Sequence, residues 1–317
     1  MSMKTTEQKA SPLGRLEGLE IFREYLTIKG HTIKTREGII KTVERFALWC
    51  EQENLELENI IYNDVTAYIS YRRKQGNIKP ISLQKIIGNL KHYYNFLISR
   101  EEVIDNPCSN ITIKGVKRKN LYETFTSEEL EKIYQTFAAS PVSKAMGGHL
   151  IQKRNKAMLA LVIYQGLRTE ELARLKTGDL KMREGKIFIN GSRRTNEREM
   201  NLEAHQLYDL MDYVNETRKL ILMLSGKTTD SFFTSLGCSE RFDNILPNLI
   251  NQLKKQNPKI RDIKQLRASV ISNWLKIHGL RKVQHLAGHR YVSSTEAYKS
   301  NNMEGLIDDI NTFHPDL

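Results

Sequence analysis

Cysteine is scarce in this chain. Three occur in 317 residues, Cys50, Cys108 and Cys238, far apart and without a CxxC pair, which argues against a disulfide framework and against a zinc ribbon. Cys50 closes an amphipathic run with Phe46 and Ala47, so packing rather than reactivity is expected of it, and a reducing cytosol fits. Long apolar runs are missing as well. The most apolar stretch, residues 157–164, is far too short to span a bilayer, and residues 1–14 are polar with no secretory-signal core. A cytoplasmic location without a membrane partner is expected. Repeats and low-complexity tracts are also lacking. Acidic charge is in deficit: 49 Lys and Arg stand against 37 Asp and Glu, a net charge of +12. Such a surplus suits a chain that wraps a polyanion, although a solubilising surface gives the same balance.

What is present is ordinary globular material, 39% hydrophobic and 27% charged, long enough for two domains that each bury a core. The first hundred residues read as helices only. Leu16, Leu19, Phe22 and Leu26 form one apolar stripe, and Ile39, Ile40, Val43, Phe46 and Ala47 a second. Val65, Tyr68 and Ile69 form a third, and Leu83, Ile87, Leu90, Tyr94 and Leu97 a fourth. Breaks fall at Gly30, Asn54 and Gly76, and Pro80 sits near the start of the fourth helix. Lys34, Thr35, Arg36, Arg72, Arg73, Lys85 and Lys91 lie off these stripes and are candidates for phosphate contact. Solvated surface cations look the same.

Residues 114–120 are basic, contain Gly115 and lack apolar periodicity, so they read as a linker in which Lys117 and Arg118 could meet phosphate. The expected division is a flexible stretch 1–14, a helical domain 15–107, a linker 108–122 and a second domain 123–317 with a tail from 299. Thr126 ahead of Glu128 and Glu129 opens the second domain as a helix cap. A buried helix over 157–165 leads into Gly166-Leu167-Arg168. Residues 186–190 and 198–202 read as two short strands, joined by a turn that holds Arg193 and Arg194. Everything after Asn201 reads as helical, with stripes through Leu207, Leu210, Met211 and Val214, then Ile245, Leu249 and Leu253.

Three features near the end carry chemistry. Lys264 and Arg267 are three apart, and so share a helix face. Gly288-His289 follows, and Tyr298 comes nine residues after the histidine. Together with Arg168 this is a set of cations ending in one tyrosine. Two guanidinium groups can neutralise the non-bridging oxygens of a phosphodiester, a histidine can add a hydrogen bond, and a phenol can then attack without a metal.

Box by box, the chain resembles the tyrosine recombinase (phage integrase/Xer) family over residues 15–316. Phe22, Tyr25-Leu26, Gly30, Thr35, Phe46, Trp49, Ser82 and the 93–97 segment are similar to its core-binding domain. Gly166-Leu167-Arg168-Thr169-Glu170-Glu171-Leu172 is similar to its first arginine box, and Val283-Gln284-His285-Leu286-Ala287-Gly288-His289 to its helix ending in Leu-Gly-His. The resemblance implies a mainly α fold: a four-helix SAM-like core-binding domain, then a mixed, mostly helical catalytic domain with a small antiparallel β-sheet. It implies that Arg168 and Arg267 bind the scissile phosphate, that Glu171 holds the Arg168 guanidinium, that His289 is hydrogen-bonded to the phosphate, and that Tyr298 is the nucleophile. Lys264 stands where the family most often has histidine. It further implies a 3′-phosphotyrosyl intermediate on a double-stranded recombination site, four protomers on two sites, no metal, no ATP, a linker lying along the DNA and a nucleoid-associated location. The tail, with Met303, Leu306, Ile307, Ile310 and Phe313, would dock on a neighbouring subunit.

One departure matters. The family's turn between the two strands carries a lysine that protonates the leaving 5′-oxygen. Counted back from Glu197-Arg198 and Leu202, that position is Arg193, and a guanidinium is a poor proton donor. Lys186, at the far end of the strand roughly 20 Å away, is an unlikely substitute. Two alternatives stand beside the recombinase: a relative that binds DNA without cleaving it, and a type IB topoisomerase-like strand relaxer. Whether the role is mobile-element integration or Xer-like resolution, and whether an accessory or partner recombinase takes part, stays open.

Overall fold

The computed structural model describes residues 12–116, 122–139, 147–237, 242 and 245–299. Lys117, Arg118 and the tail beyond Lys299 lie outside the described residues. The chain divides into two compact units, Met1–Lys119 and Asn120–Leu317.

The first unit is built on four helices whose ends follow local chemistry. Helix α1 (Pro12–Ile28) stops at Gly30, which takes a left-handed φ of 74°. Thr32 caps α2 (Ile33–Gln52), its hydroxyl accepting the Thr35 N–H at 3.3 Å. Before α3 (Tyr62–Lys74) the Asp64 carboxylate accepts the Ile61 N–H at 3.0 Å, and Arg72, Arg73 and Lys74 face the carbonyl end of the last turn. Pro80 opens α4 (Pro80–Ser99) at a position where its missing N–H costs nothing. Apart from the half-buried Ala47, the described residues of the four expected stripes meet in one core. Phe22 packs edge-on to Tyr93 at 5.3 Å, and Phe46 edge-on to Tyr68 at 4.9 Å. Cys50 is buried there, as expected of a packed thiol, and burial pushes its pKa up to about 12. Cys108, Ile111 and Ile113 join the same core, so residues 108–113, read from sequence as linker, are packed structure.

The second unit opens with α5 (Ser127–Ala138). Its capping box is complete: Thr126 Oγ1 accepts from Glu129 N at 3.2 Å, and Glu129 Oε2 accepts from Thr126 N at 2.8 Å. Helix α6 (Gly148–Ile163) is longer than its apolar run suggested, and residues 157–163 are buried on every side. Helix α7 (Thr169–Arg174) follows. An antiparallel sheet comes next, β1 (Leu180–Lys181), β2 (Lys186–Ile189) and β3 (Arg198–Asn201), in that spatial order. Ile187 pairs with Met200 and Ile189 with Arg198, which turns all four toward the interior. The two-residue β1 is too short to leave a pattern in the sequence. Helices α8 (Ala204–Asp212) and α9 (Arg218–Ser225) run on through a π-turn at Tyr213–Thr217. The expectation of unbroken helix after Asn201 fails past Gly226. Residues 227–237 are irregular but ordered by Phe232, whose carbonyl accepts from Tyr213 Oη at 2.9 Å, and Met211 is exposed rather than part of a stripe. The rest is α10 (Ile245–Gln256), α11 (Ile263–Ile277), α12 (Leu280–Leu286) and α13 (Ser293–Glu296).

Candidate active site

Four segments of the second unit converge: the turn before α7, the first half of α11, the Gly288-His289 segment after α12, and α13 with Tyr298. The turn before α7 depends on Gly166. Its φ is 58°, and a Cβ there would lie 3.2 Å from Trp274 and 3.3 Å from Val270 on α11. The tight approach brings Arg168 and Arg267 into one site.

Arg267 is buried, with Nη1 donating to the Gly166 carbonyl and Nη2 to the Ala287 carbonyl at 2.6 Å. Burial and then the charge of Arg168 lower its pKa to about 10, which still leaves it charged at neutral pH. Arg168 is half-buried. Its Nε–H is buried and has no acceptor among the described residues. An unpaired buried donor costs about 1–3 kcal/mol, so an N–H in this state suits an oxygen from a bound anion.

The carboxylate serving these arginines differs in partner from the sequence expectation. Glu171 accepts the Arg168 backbone N–H at 2.8 Å and so caps α7, but it does not hold that guanidinium. Its side chain grips Arg198 bidentately, at 2.9 and 3.1 Å, with both side chains fully or almost fully buried. Arg267 Nη1 stands 3.8 Å from the same carboxylate. Burial would raise the pKa of Glu171. Hydrogen bonds and charge from Arg198, then Arg267, outweigh that and hold it below the ordinary carboxylate range. Sequence reasoning passed over Arg198. A signal existed: it occupies an inward position of β3 beside Met200, and a cation facing a core needs a buried acid.

Gly288 has a φ of 62°, and a Cβ on it would sit 2.3 Å from Arg198 Nη1 and 3.2 Å from the Asn196 carbonyl. Because that guanidinium is pinned by Glu171, it cannot give way, and glycine is required ahead of His289. The His289 ring is buried. Nδ1 is 2.9 Å from Thr295 Oγ1 and Nε2 is 3.4 Å from Arg267 Nη2. Burial, then Arg267, Arg168 and Arg198, push its pKa down to about 3, so the ring is neutral at physiological pH. Tyr298 is half-buried against Ile271, Val283 and Ala287, and its ring stacks on His289 with centroids 5.7 Å apart. Tyr291, its local rival, is 67% exposed.

Three expected residues of this unit lie outside this cluster. Lys264 is exposed in the first turn of α11, whereas Arg267, one turn further into the helix on the same side, is enclosed. Arg193 and Arg194 are exposed on the turn between β2 and β3. That turn is nonetheless tied to the histidine segment. Asn196 N donates to the Gly288 carbonyl at 3.2 Å, Thr195 bridges His289, and Arg290 Nη1 donates to the Arg193 carbonyl at 3.0 Å. Lys186 is held by Glu199 at 2.8 Å. In the first unit Lys34, Thr35, Arg73 and Lys85 are exposed. Arg36 donates to Thr27, Arg72 lies over the Tyr68 ring at 5.9 Å, and Lys91 is drawn inward to the Ser109 carbonyl at 2.9 Å.

The phage integrase family model matches residues 123–304, and that of the phage integrase N-terminal SAM-like domain matches residues 19–102. Tyrosine recombinase XerC of Bacillus pumilus is 25% identical over 304 residues, covering 94% of this chain and 96% of the relative. Among solved structures, the XerH site-specific recombinase bound to palindromic difH substrate, a post-cleavage complex, aligns with a TM-score of 0.70 at 18% identity, over 90% of this chain and 81% of that one. A lambda integrase tetramer bound to a Holliday junction aligns at 0.59 and 17% identity, over 90% and 83% of the two chains. At such identities the structures speak for the fold.

Proposed function

The chain belongs to the phage integrase family, the tyrosine recombinases, and on that premise we propose that Tyr298 is the nucleophile of a site-specific DNA recombinase whose scissile phosphate is held by Arg168 and Arg267. The observation that carries this assignment of residues is the convergence of two guanidinium groups, one with a buried N–H unpaired among the described residues, beside a tyrosine ring stacked on His289.

In this reading the guanidinium groups neutralise the non-bridging oxygens as the phosphorus becomes five-coordinate. The Tyr298 oxygen bonds to phosphorus, the bond to the 5′-oxygen breaks, and the phenol's proton leaves as the leaving oxygen gains one. The product is a 3′-phosphotyrosyl ester and a free 5′-hydroxyl. Ester energy is conserved, so the 5′-hydroxyl of a partner strand can reverse the step without ATP. Arg193, on a turn hydrogen-bonded to the histidine segment, has the part of stabilising charge on the leaving oxygen. Lys264 supplies a further phosphate contact at the rim. Lys34, Arg73, Lys85 and Arg194, all exposed, contact the flanking backbone. Four copies act on two sites, the number seen for the lambda integrase on its junction.

The test needs a duplex, and the target sequence is unknown. Binding to Tyr298→Phe selects one from a randomised pool. On that duplex carrying a nick, the parent chain forms a denaturant-resistant adduct and Tyr298→Phe forms none while binding equally well. An adduct with the phenylalanine variant would move the role to another residue, Tyr291 first.

A further inference from the structure

Arg193 and Arg194 are the corners of a tight turn. Ser192 and Thr195 close it: Ser192 N donates to the Thr195 carbonyl at 2.8 Å, and Thr195 N to the Ser192 carbonyl at 3.3 Å. Their hydroxyls meet at 2.8 Å. Arg194 does not take a positive φ, which excludes a type II turn. The carbonyl of Arg193, on the peptide between the two corners, takes no part in that closure. Type I and type II turns differ chiefly in the rotation of this central peptide, so a group that holds its carbonyl selects the shape of the turn.

Arg290 holds it, Nη1 donating to the Arg193 carbonyl at 3.0 Å. The backbone of Arg290 is itself anchored to α12. Gln284 Nε2 donates to the His289 carbonyl at 3.1 Å and to the Arg290 carbonyl at 3.4 Å. The turn is thus fastened to the histidine segment at its exit, through Asn196 N and the Gly288 carbonyl, and at its tip, through Arg290. The residue at the tip makes this matter. A lysine ammonium is compact and can serve an oxygen from many directions, whereas a guanidinium acts through a planar fork that has to be aimed.

We propose that Arg290 is a positioning residue: it grips the central peptide of the turn and so sets the direction in which the Arg193 side chain leaves it. This rests on the recombinase reading for the part Arg193 has in cleavage, but not for the fastening. Arg290 acts through Arg193, so its loss costs rate only where Arg193 is present and the leaving oxygen needs help.

Trypsin reads the fastening without DNA, because Arg193 and Arg194 are themselves exposed cleavage sites. Limited digestion of the full chain, with the cuts mapped by mass, should show Arg290→Ala cleaved after residues 193 and 194 roughly tenfold faster than the parent, the worth of one hydrogen bond to a charged donor. Arg281→Ala removes a guanidinium bonded to Gln284 at 3.1 Å within α12 and should be cut there at the parent rate. On the selected nicked duplex, Arg290→Ala should form adduct roughly tenfold more slowly. With sulfur at the 5′-bridging position the loss should vanish, and in an Arg193→Ala background removing Arg290 should add nothing. Cleavage of the turn at the parent rate in Arg290→Ala overturns the fastening. A loss that persists on the sulfur substrate, or adds to that of Arg193→Ala, overturns the action through Arg193. So does adduct formation at the parent rate with weaker binding and a salt slope lowered by about 0.9, which would make Arg290 a phosphate contact. If the parent makes no adduct on any selected duplex, the recombinase reading falls, and the fastening stands or falls by trypsin alone.

Discussion

The two units treat charge in opposite ways. In the first, the described core is aliphatic and aromatic, built on Phe22, Phe46, Trp49, Tyr68 and Tyr94, and its lysines and arginines stay exposed or half-buried. In the second, charge goes inside. Leaving tyrosine, tryptophan and cysteine aside, every buried polar or charged residue among the described residues lies there, including Arg154, Glu171, Arg198, Arg267 and His289. Burying a charge is tolerable only when partners compensate it. A unit built that way fails abruptly when one partner is lost, whereas an apolar bundle with exposed cations loses function in small steps. The difference is what the proposed labour would need: fixed charge where a phosphate reacts, dispersed charge where a duplex is only held.

The strongest way to break the comparison is Arg198→Met. It leaves the Glu171 carboxylate buried with Arg267, at 3.8 Å, as the nearest guanidinium to claim it. Breaking one side of a buried ion pair costs about 3–5 kcal/mol, which chemical denaturation can measure. The double variant Arg198→Met with Glu171→Gln removes the stranded charge and should recover much of that loss. As a matched change in the first unit, Tyr94→Phe deletes only the hydrogen bond to the Leu57 carbonyl at 3.1 Å and should cost about 1 kcal/mol. If the two single variants proved equally destabilised, buried charge would not be what sets the second unit apart.

How much of this was legible beforehand follows the same division. The four helices of the first unit could be read from apolar spacing alone, because a core of Leu, Ile and aromatic residues imposes its period on the chain. Arg168, Arg267, His289 and Tyr298 were legible as boxes whose residue types suit a phosphodiester, and the structure brings them together. Their supports were not legible. Glu171 was expected to serve Arg168 through four residues of local sequence, but its side chain reaches Arg198, 27 positions away, across a strand pairing that spacing does not encode. Thr295 looked like one hydroxyl among several in Ser293-Ser294-Thr295 until the ring it touches was in place. Lys264 shows the limit of helical arithmetic: it shares a side of α11 with Arg267, yet one is exposed and the other enclosed.

A second prediction sharpens the contrast inside the second unit, between the enclosed arginines and the exposed one. Arg193 sits on a turn fastened by Arg290, Asn196 and Thr195, so its backbone is placed although its side chain faces outward. A guanidinium stabilises charge on the leaving oxygen but rarely yields its proton. Arg193→Ala should slow cleavage by up to roughly a hundredfold, the low end of what acid assistance contributes. It should leave stability unchanged, unlike Arg198→Met. A substrate with sulfur at the 5′-bridging position needs no proton to depart and should rescue the variant, while Arg193→Lys should keep activity or gain it. Ordinary cleavage at the parent rate by Arg193→Ala would pass the role to Arg194.

The smallest effect separates two lysines of one helix. Lys85 is exposed on α4, whereas Lys91, a turn and a half further on, spends its ammonium on the Ser109 carbonyl and is half-buried. A lysine that neutralises one phosphate releases its counterions, so removing it should lower the slope of log affinity against log salt by about 0.9. Lys85→Ala should show that change with stability within about 0.5 kcal/mol of the parent. Lys91→Ala should do the reverse, losing about 1 kcal/mol of stability as the hydrogen bond goes, with little change in the salt slope. Salt titration of duplex binding beside denaturant melts reads both quantities. If Lys91→Ala lowers the slope as much as Lys85→Ala, the ammonium leaves Ser109 for DNA, and charge in the first unit is more mobile than its resting contacts indicate.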